Sequence, residues 1–185
     1  MANRLVILDR DGVINQDSDE FIKSPDEWVP IPGSLAAIGK LSSAGFEVAV
    51  ATNQSGIGRK LFDVPALDAI HRKMIDGARD AGGIIGQVVY CPHHPDAGCD
   101  CRKPLPGLLN QLSQRYGVPL DKVPVIGDSV RDIDAALAVG ARPILVRTGN
   151  GVRTGRVLSG RGIDVDTFDD LDAATDALVS QLGKS

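Results

Sequence analysis

Residues Arg4 to Asn15, RLVILDRDGVIN, constrain the fold of this chain more than any other stretch. Leu5 to Leu8 is an uninterrupted apolar run bounded by charge, which fits a central strand buried on both faces. Asp9 and Asp11 follow with one residue between them. In extended backbone that spacing sends both carboxylates to the same side, where a buried strand emerges. Carboxylates so close repel, and a divalent cation that accepts hard oxygen ligands, such as magnesium, offsets the repulsion. Gly12 then allows a turn and a close approach of backbone to a ligand. The ordinary reading of D-x-D is a pair of turn formers; the strand before and the glycine after favour a functional site.

The rest of the chain alternates strand-like and helix-like segments. Gln16 to Gly33 carries Asp17, Asp19, Glu20, Trp28 and three prolines, and its polarity predicts a loop over the site rather than core. Leu35, Ile38 and Leu41 repeat at helical spacing, with Ser34 as N-cap and Gly45 as the stop. Phe46 to Ala51 reads as a second strand, Pro65 to Ala81 as a helix capped by Asp63, and Val88 to Tyr90 as a third strand. Pro106 to Tyr116 and Ser129 to Val139 are helical, flanking a fourth strand at Val123 to Ile126. Ile144 to Val146 is a fifth strand and Leu171 to Leu182 a closing helix. Between them, the glycines and arginines of residues 147–162 (Arg147, Arg153, Arg156, Arg161) read as a mobile basic loop.

That rhythm predicts one three-layer, Rossmann-like α/β domain over residues 1–185, with a mainly parallel sheet, right-handed crossovers and no large cap. In such sheets ligands collect beyond the carboxyl ends of the strands, where strand order reverses. Asp9 and Asp11 follow the first strand, Thr52 and Asn53 the second, and Asp128 the fourth. Three strand ends therefore converge on one site.

Composition narrows the partners. With 185 residues, 43% hydrophobic and 24% charged, the chain has the size and makeup of a globular domain with a substantial core. A net charge of -4 argues against nucleic acid or a membrane surface as partner. No apolar run reaches membrane-spanning length and the first residues lack a signal-peptide pattern, so a cytoplasmic monomer is expected. All three cysteines fall between Cys91 and Cys101. That clustering is too tight for a disulfide framework and points to metal.

Each polar cluster has its own chemistry. In TNQSGIG, the Thr52 hydroxyl, the amides of Asn53 and Gln54, Ser55 and small residues offer donors to a phosphate, although the same residues form ordinary Asx and Ser/Thr turns. Arg102 and Lys103 are adjacent cations before a helix: arginine suits bidentate recognition of an anion, lysine supplies a compact charge, and a solvated basic pair is the plain alternative. In VIGDSVRDID, Asp128 stands between strand and helix as a third metal-directed carboxylate or as an N-cap. Asp132, one turn on, fits a supporting position behind it. The segment CPHHPDAGCDC holds Cys91, His93, Cys99 and Cys101 in an arrangement suited to a closed, structural Cys3His zinc site, with His94 as the alternative to His93. Such a site would fix the loop leading into Arg102 and Lys103.

DRDGVIN, TNQSGIG, CRKP and GDSVRDID, in that order, resemble the four motifs of the haloacid dehalogenase (HAD) superfamily of phosphotransferases. The resemblance covers roughly Leu5 to Gly151. It implies that Asp9 is the nucleophile, Asp11 the general acid and base, and Thr52 and Lys103 stabilisers of the phosphoryl group. It implies magnesium held by Asp9, Asp128 and the Asp11 carbonyl. Within the superfamily, ILDRDGVIN, ATNQSGIGR, YCPHHP, CDCRKPLPG and LVRTG are similar to the D-glycero-D-manno-heptose 1,7-bisphosphate 7-phosphatases, which act in making ADP-heptose for lipopolysaccharide core. That likeness implies a small phosphorylated sugar as substrate, contacted by Asp17, Ser18, Asp19, Glu20, Thr52, Asn53, Gln54, Ser55, Arg102 and Lys103. Histidinol-phosphate phosphatases have a similar zinc loop, and the short spacer between His93 and Cys99 is the feature on their side. A third reading, a non-catalytic phosphometabolite-binding domain, has no need for Asp9, Asp11, Lys103 and Asp128 together. A mutase or phosphotransferase would need a cap to exclude water, and no inserted segment is large enough for one.

Overall fold

The computed structural model describes residues 4–183. Its strands are β1 (Arg4–Leu8), β2 (Phe46–Asn53), β3 (Ile85–Cys91), β4 (Pro124–Gly127), β5 (Arg142–Val146) and β6 (Asp166–Phe168). Its helices are α1 (Ser34–Ser43), the single turn α2 (Ser55–Gly58), α3 (Val64–Asp80), α4 (Gly107–Tyr116), α5 (Val130–Ala138), α6 (Gly151–Gly160) and α7 (Leu171–Leu182). The strands form one parallel sheet in the order β3-β2-β1-β4-β5-β6. Strand order reverses between β1 and β4, which are neighbours. The crevice of an α/β sheet opens at such a reversal.

The apolar run of β1 divides between two cores by alternation. Val6 and Leu8 face one side, where Val48, Val50 and Ile126 meet α1, α3 and α7 through Ile38, Leu41, Ile70, Met74 and Leu178. Leu5 and Ile7 face the other, against Ala49, Ala51, Val89 and Val125 beneath α4 and α5. Leu5 through Leu8 are all buried. Removing a side chain such as Leu8 or Ile7 would cost about 2–5 kcal/mol, so the strand that carries Asp9 is firmly held. The helices on both faces complete a three-layer α/β fold.

Several expectations change in detail. Ser34 is the first residue of α1 rather than its cap; Gly33 takes that position, and the buried Ser34 hydroxyl donates to the Ile14 carbonyl at 2.6 Å. The segment between Gln16 and Gly33 contributes to the core: Trp28 is 2% exposed and Ile22 6%, and Pro25–Glu27 forms a 3-10 turn. A sixth strand, β6, pairs with β5. Residues 147–162 are not a loop throughout, because α6 occupies Gly151–Gly160 and packs Leu158 against Leu145 and Ile133. That tertiary contact outweighs the low helix propensity of its glycines.

Candidate active site

β1 and β4 end side by side, and their next polar residues meet. Asp9 follows β1, with its amide donating to the Ile126 carbonyl at 2.9 Å; Asp128 follows β4. Asp132 projects from the first turn of α5, where its Oδ2 accepts from the Ser129 amide at 2.9 Å and the Ser129 hydroxyl at 2.6 Å, closing a capping box. Asp9, Asp128 and Asp132 each offer a carboxylate oxygen within 4.8 Å of the others. Lys103 reaches this group from the loop after the cysteines. Its Nζ lies 2.9 Å from Asp9 Oδ1 and 2.6 Å from Asp132 Oδ1 and donates to the Ala51 carbonyl at 2.7 Å.

One buried lysine does not balance three carboxylates. Burial first, then Asp132 and Asp128, push Asp9 well above the usual carboxylate range, against the opposing pull of Lys103. Burial and Asp132 raise Asp128 to about 7, although the amide of Asn150 bonds to it. Asp132 stays below the ordinary value despite burial, because Lys103 and Ser129 hold its anion. This surplus of negative charge around hard oxygen donors fits magnesium, with Asp9 and Asp128 available to hold it.

Asp11 lines the same cleft, but its carboxylate is held by a different set of partners. Burial would raise its pKa, yet the neighbouring Arg10, with Asn15 and Gln54, holds it below the ordinary value. Gln54 Nε2 links Asp11 Oδ2 at 2.8 Å to Thr52 Oγ1 at 2.9 Å. The two aspartates of D-x-D therefore do not share one ion through their side chains. Asp132 takes the place beside Asp9 and Asp128 that spacing gave to the Asp11 carboxylate.

The cleft, of about 320 Å³, is lined by these acids with Thr52, Asn53, Gln54 and Ser55, and by Arg59, Arg102 and Arg131. Among the described residues none of these three guanidinium groups is in an ion pair. Arg59 lies over the Phe21 ring at 5.9 Å. Arg102 Nη1 is buried without a partner, and burial, then Arg131, lower the pKa of its guanidinium. A cleft that adds three arginines free of ion pairs to its acids and lysine suits a ligand with more than one anionic group.

The cysteine segment closes as its spacing implied. Cys91, His93, Cys99 and Cys101 bring one ligand atom each within 4.8 Å of the others, and His93 Nδ1 stands 3.2 Å from Cys101 Sγ. All three cysteines are free of disulfides. Three thiolate sulfurs and an imidazole nitrogen at mutual ligand distance, with no carboxylate among them, fit a tetrahedral zinc ion with no position left for water. His94 instead turns to Asp96, 3.2 Å away. The loop beyond is clamped by Asn53, whose Nδ2 donates to the Lys103 carbonyl at 3.0 Å while its Oδ1 accepts from the Lys103 amide at 3.1 Å.

Comparison with known proteins decides the family. The chain is 52% identical over 181 residues to the D-glycero-beta-D-manno-heptose-1,7-bisphosphate 7-phosphatase of Pseudomonas aeruginosa, covering 97% of this chain and 99% of that one. The chain belongs to the D-glycero-beta-D-manno-heptose-1,7-bisphosphate 7-phosphatase family. The phosphatase of that name from Bordetella bronchiseptica is 55% identical over 151 residues, covering 82% of this chain and 84% of its own length. A crystal structure of D,D-heptose 1,7-bisphosphate phosphatase from B. bronchiseptica, complexed with magnesium and phosphate, superposes with a TM-score of 0.91 at 49% identity, covering 96% of this chain and 99% of the other. The HAD-hydrolase-like family model matches residues 100–176. This chain is thus a phosphoric monoester hydrolase of the HAD superfamily.

In this phosphatase the cleft gathers Asp9, Asp11, Thr52, Asn53, Gln54, Ser55, Arg102, Lys103 and Asp128, together with Asp17, Ser18 and Asp19. Glu20 is an exception: it is exposed and lies outside the cleft lining, because Phe21, with φ of 64°, turns the chain there. Asn150, Arg59, Arg131 and Arg10 escaped the sequence reading. Asn150 donates its amide and Nδ2 to Asp128 Oδ2 at 2.7 and 3.2 Å and its Nδ2 to Asp17 Oδ2 at 3.1 Å. The GN pair after LVRT was the available signal for it.

Proposed function

We propose that this chain removes the 7-phosphate of D-glycero-D-manno-heptose 1,7-bisphosphate by way of an aspartyl-phosphate on Asp9. The observation that carries the reading is the meeting of Asp9, Asp128 and Lys103 at the β1–β4 reversal in a chain 52% identical to a named heptose bisphosphate phosphatase. Asp9 attacks phosphorus and the sugar oxygen departs, taking a proton from Asp11. Water then attacks the phosphoenzyme, Asp11 takes its proton, and Asp9 is freed with inorganic phosphate. Lys103 and Thr52 orient and neutralise the transferring group, since phosphoryl transfer depends mainly on positioning and charge. Magnesium, held by Asp9, Asp128 and the Asp11 carbonyl, supplies further positive charge at the phosphoryl oxygens. Arg102, flanked by Arg59 and Arg131, receives the phosphate that is not cleaved, while Asp17, Ser18 and Asp19 contact the sugar. Cys91, His93, Cys99 and Cys101 would hold a structural zinc, which would fix the Arg102–Lys103 segment.

No helix among the described residues is long and apolar enough to cross a membrane. We infer a cytoplasmic monomer acting on a small phosphosugar, with neither nucleic acid nor membrane as partner, in the supply of ADP-heptose for lipopolysaccharide. The test is magnesium-dependent phosphate release from heptose bisphosphate beside histidinol phosphate. A preference of at least about a hundredfold in kcat/KM, about 2.7 kcal/mol in transition-state binding, supports the assignment. Equal rates, or a preference for histidinol phosphate, refute it. Asp9→Asn should lower turnover by on the order of a thousandfold or more while circular dichroism stays unchanged.

A further inference from the structure

Arg10 lies between the two aspartates, yet it is fully buried, with 0% exposure. A guanidinium so placed needs partners for its donors. Its Nε reaches Asp11 Oδ1 at 3.0 Å, and Nη2 reaches Oδ1 and Oδ2 at 2.8 and 3.0 Å. On the far side, Nη1 lies 3.4 Å from Nε2 of His71, a residue of α3 that is 7% exposed and packed edge-on against Tyr90. Burial, then the positive charge of Arg10, push the His71 pKa down to about 3, so the ring is neutral, and the tautomer with its proton on Nδ1 accepts from Arg10 at Nε2. Asn15 Nδ2 and Gln54 Nε2 complete the shell around Asp11 at 2.9 and 2.8 Å. Every donor around this carboxylate therefore suits its anion, and the bidentate fork of Arg10 fixes its plane.

We propose that Arg10, backed by His71, is a positioning residue that holds the Asp11 carboxylate aligned as the base for hydrolysis of the aspartyl-phosphate. The idea rests on the phosphatase reading above. In that half-reaction a water oxygen bonds to phosphorus and the water proton passes to Asp11. The bond between phosphorus and Asp9 breaks, leaving the Asp9 carboxylate and inorganic phosphate, and Asp11 keeps the proton that the next leaving oxygen will take. An anion held in one plane is what this step uses. His71 acts through Arg10 by pairing with Nη1, the guanidinium nitrogen that makes no bond to Asp11.

The test uses the magnesium-loaded enzyme and p-nitrophenyl phosphate, whose good leaving group needs little help from an acid. Arg10→Lys keeps the charge but loses the fork. We expect kcat to fall at least tenfold with kcat/KM changed less than twofold, and acid quenching to trap covalent phosphate approaching one equivalent per site. His71→Phe should show the same split, and His71→Gln, which retains an acceptor, should recover most of the loss. If kcat and kcat/KM fall together with no trapped phosphate, or if His71→Gln and His71→Phe are equally impaired, the proposal is overturned. Should Arg10→Lys not fold, the His71 pair decides alone. Phosphate release by the unaltered enzyme is the control: its failure refutes the phosphatase reading, whereas failure of the variants to accumulate phosphoenzyme refutes only the role of Arg10 and His71.

Discussion

Asp128 concentrates the conflict between stability and activity in a single side chain. It is 2% exposed, and burial together with Asp132 raises its pKa to about 7. A raised carboxylate favours the folded state while it is protonated, so its contribution is fully present below the ordinary value near 3.8 and is lost as pH rises through 7. In the absence of magnesium, the ionised side chain should therefore cost on the order of 4 kcal/mol at pH 8. Asp128→Asn should raise the metal-free melting temperature at that pH, flatten its decline between pH 4 and 8, and abolish the stabilisation that magnesium gives the unaltered protein. Calorimetry with and without the metal checks all three outcomes. Asp9 and Asp128 were legible in the sequence because each follows an apolar run that can only be a buried strand. The pairing of Arg10 with His71 was not, because 61 residues separate them and only the packing of α3 onto the sheet brings them together.

At the scale of elements, the zinc loop and the strand end of β2 act on the same residue. Asn53 grips the Lys103 peptide from both sides, while the Cys3His cluster anchors the residues just before it. Removing zinc with a chelator should misplace the lysine by enough to lower kcat/KM by about a hundredfold, with kcat on p-nitrophenyl phosphate affected as well. Restoring zinc, and not magnesium, should recover activity, and elemental analysis of gently purified protein should find one zinc per chain. The cysteine spacing announced this element plainly. The segments the sequence obscured are those where composition and packing disagree. Glycines at positions 151, 155 and 160 hide the period of α6, which Leu158 secures only by docking on Leu145 and Ile133. β6 is three residues long and shows no pattern until β5 lies beside it. Trp28 and Ile22 looked like loop residues because their polar neighbours face outward while these two face in.

Across the whole molecule, the last third closes over the first turn. The Thr148 hydroxyl donates to the Gly12 carbonyl at 2.6 Å, and the Asn150 amide reaches Asp128. Gly149, with φ of 56°, and Gly12, with φ of 81°, pass so close to the Asp128 carboxylate that a Cβ on either would collide with it. Gly149→Ala should combine strain of about 1–3 kcal/mol with a displaced metal ligand. We expect a melting temperature lower by about 2–4 °C per kcal/mol and a higher magnesium requirement, measured by titrating activity against the metal. This closure also sets an order of events during synthesis. A ribosome exposes both motif aspartates, the lysine and Asp128 well before the Thr148–Gly151 turn has left the exit tunnel, so the nascent enzyme holds its reactive groups for some time without the clasp that finishes the pocket.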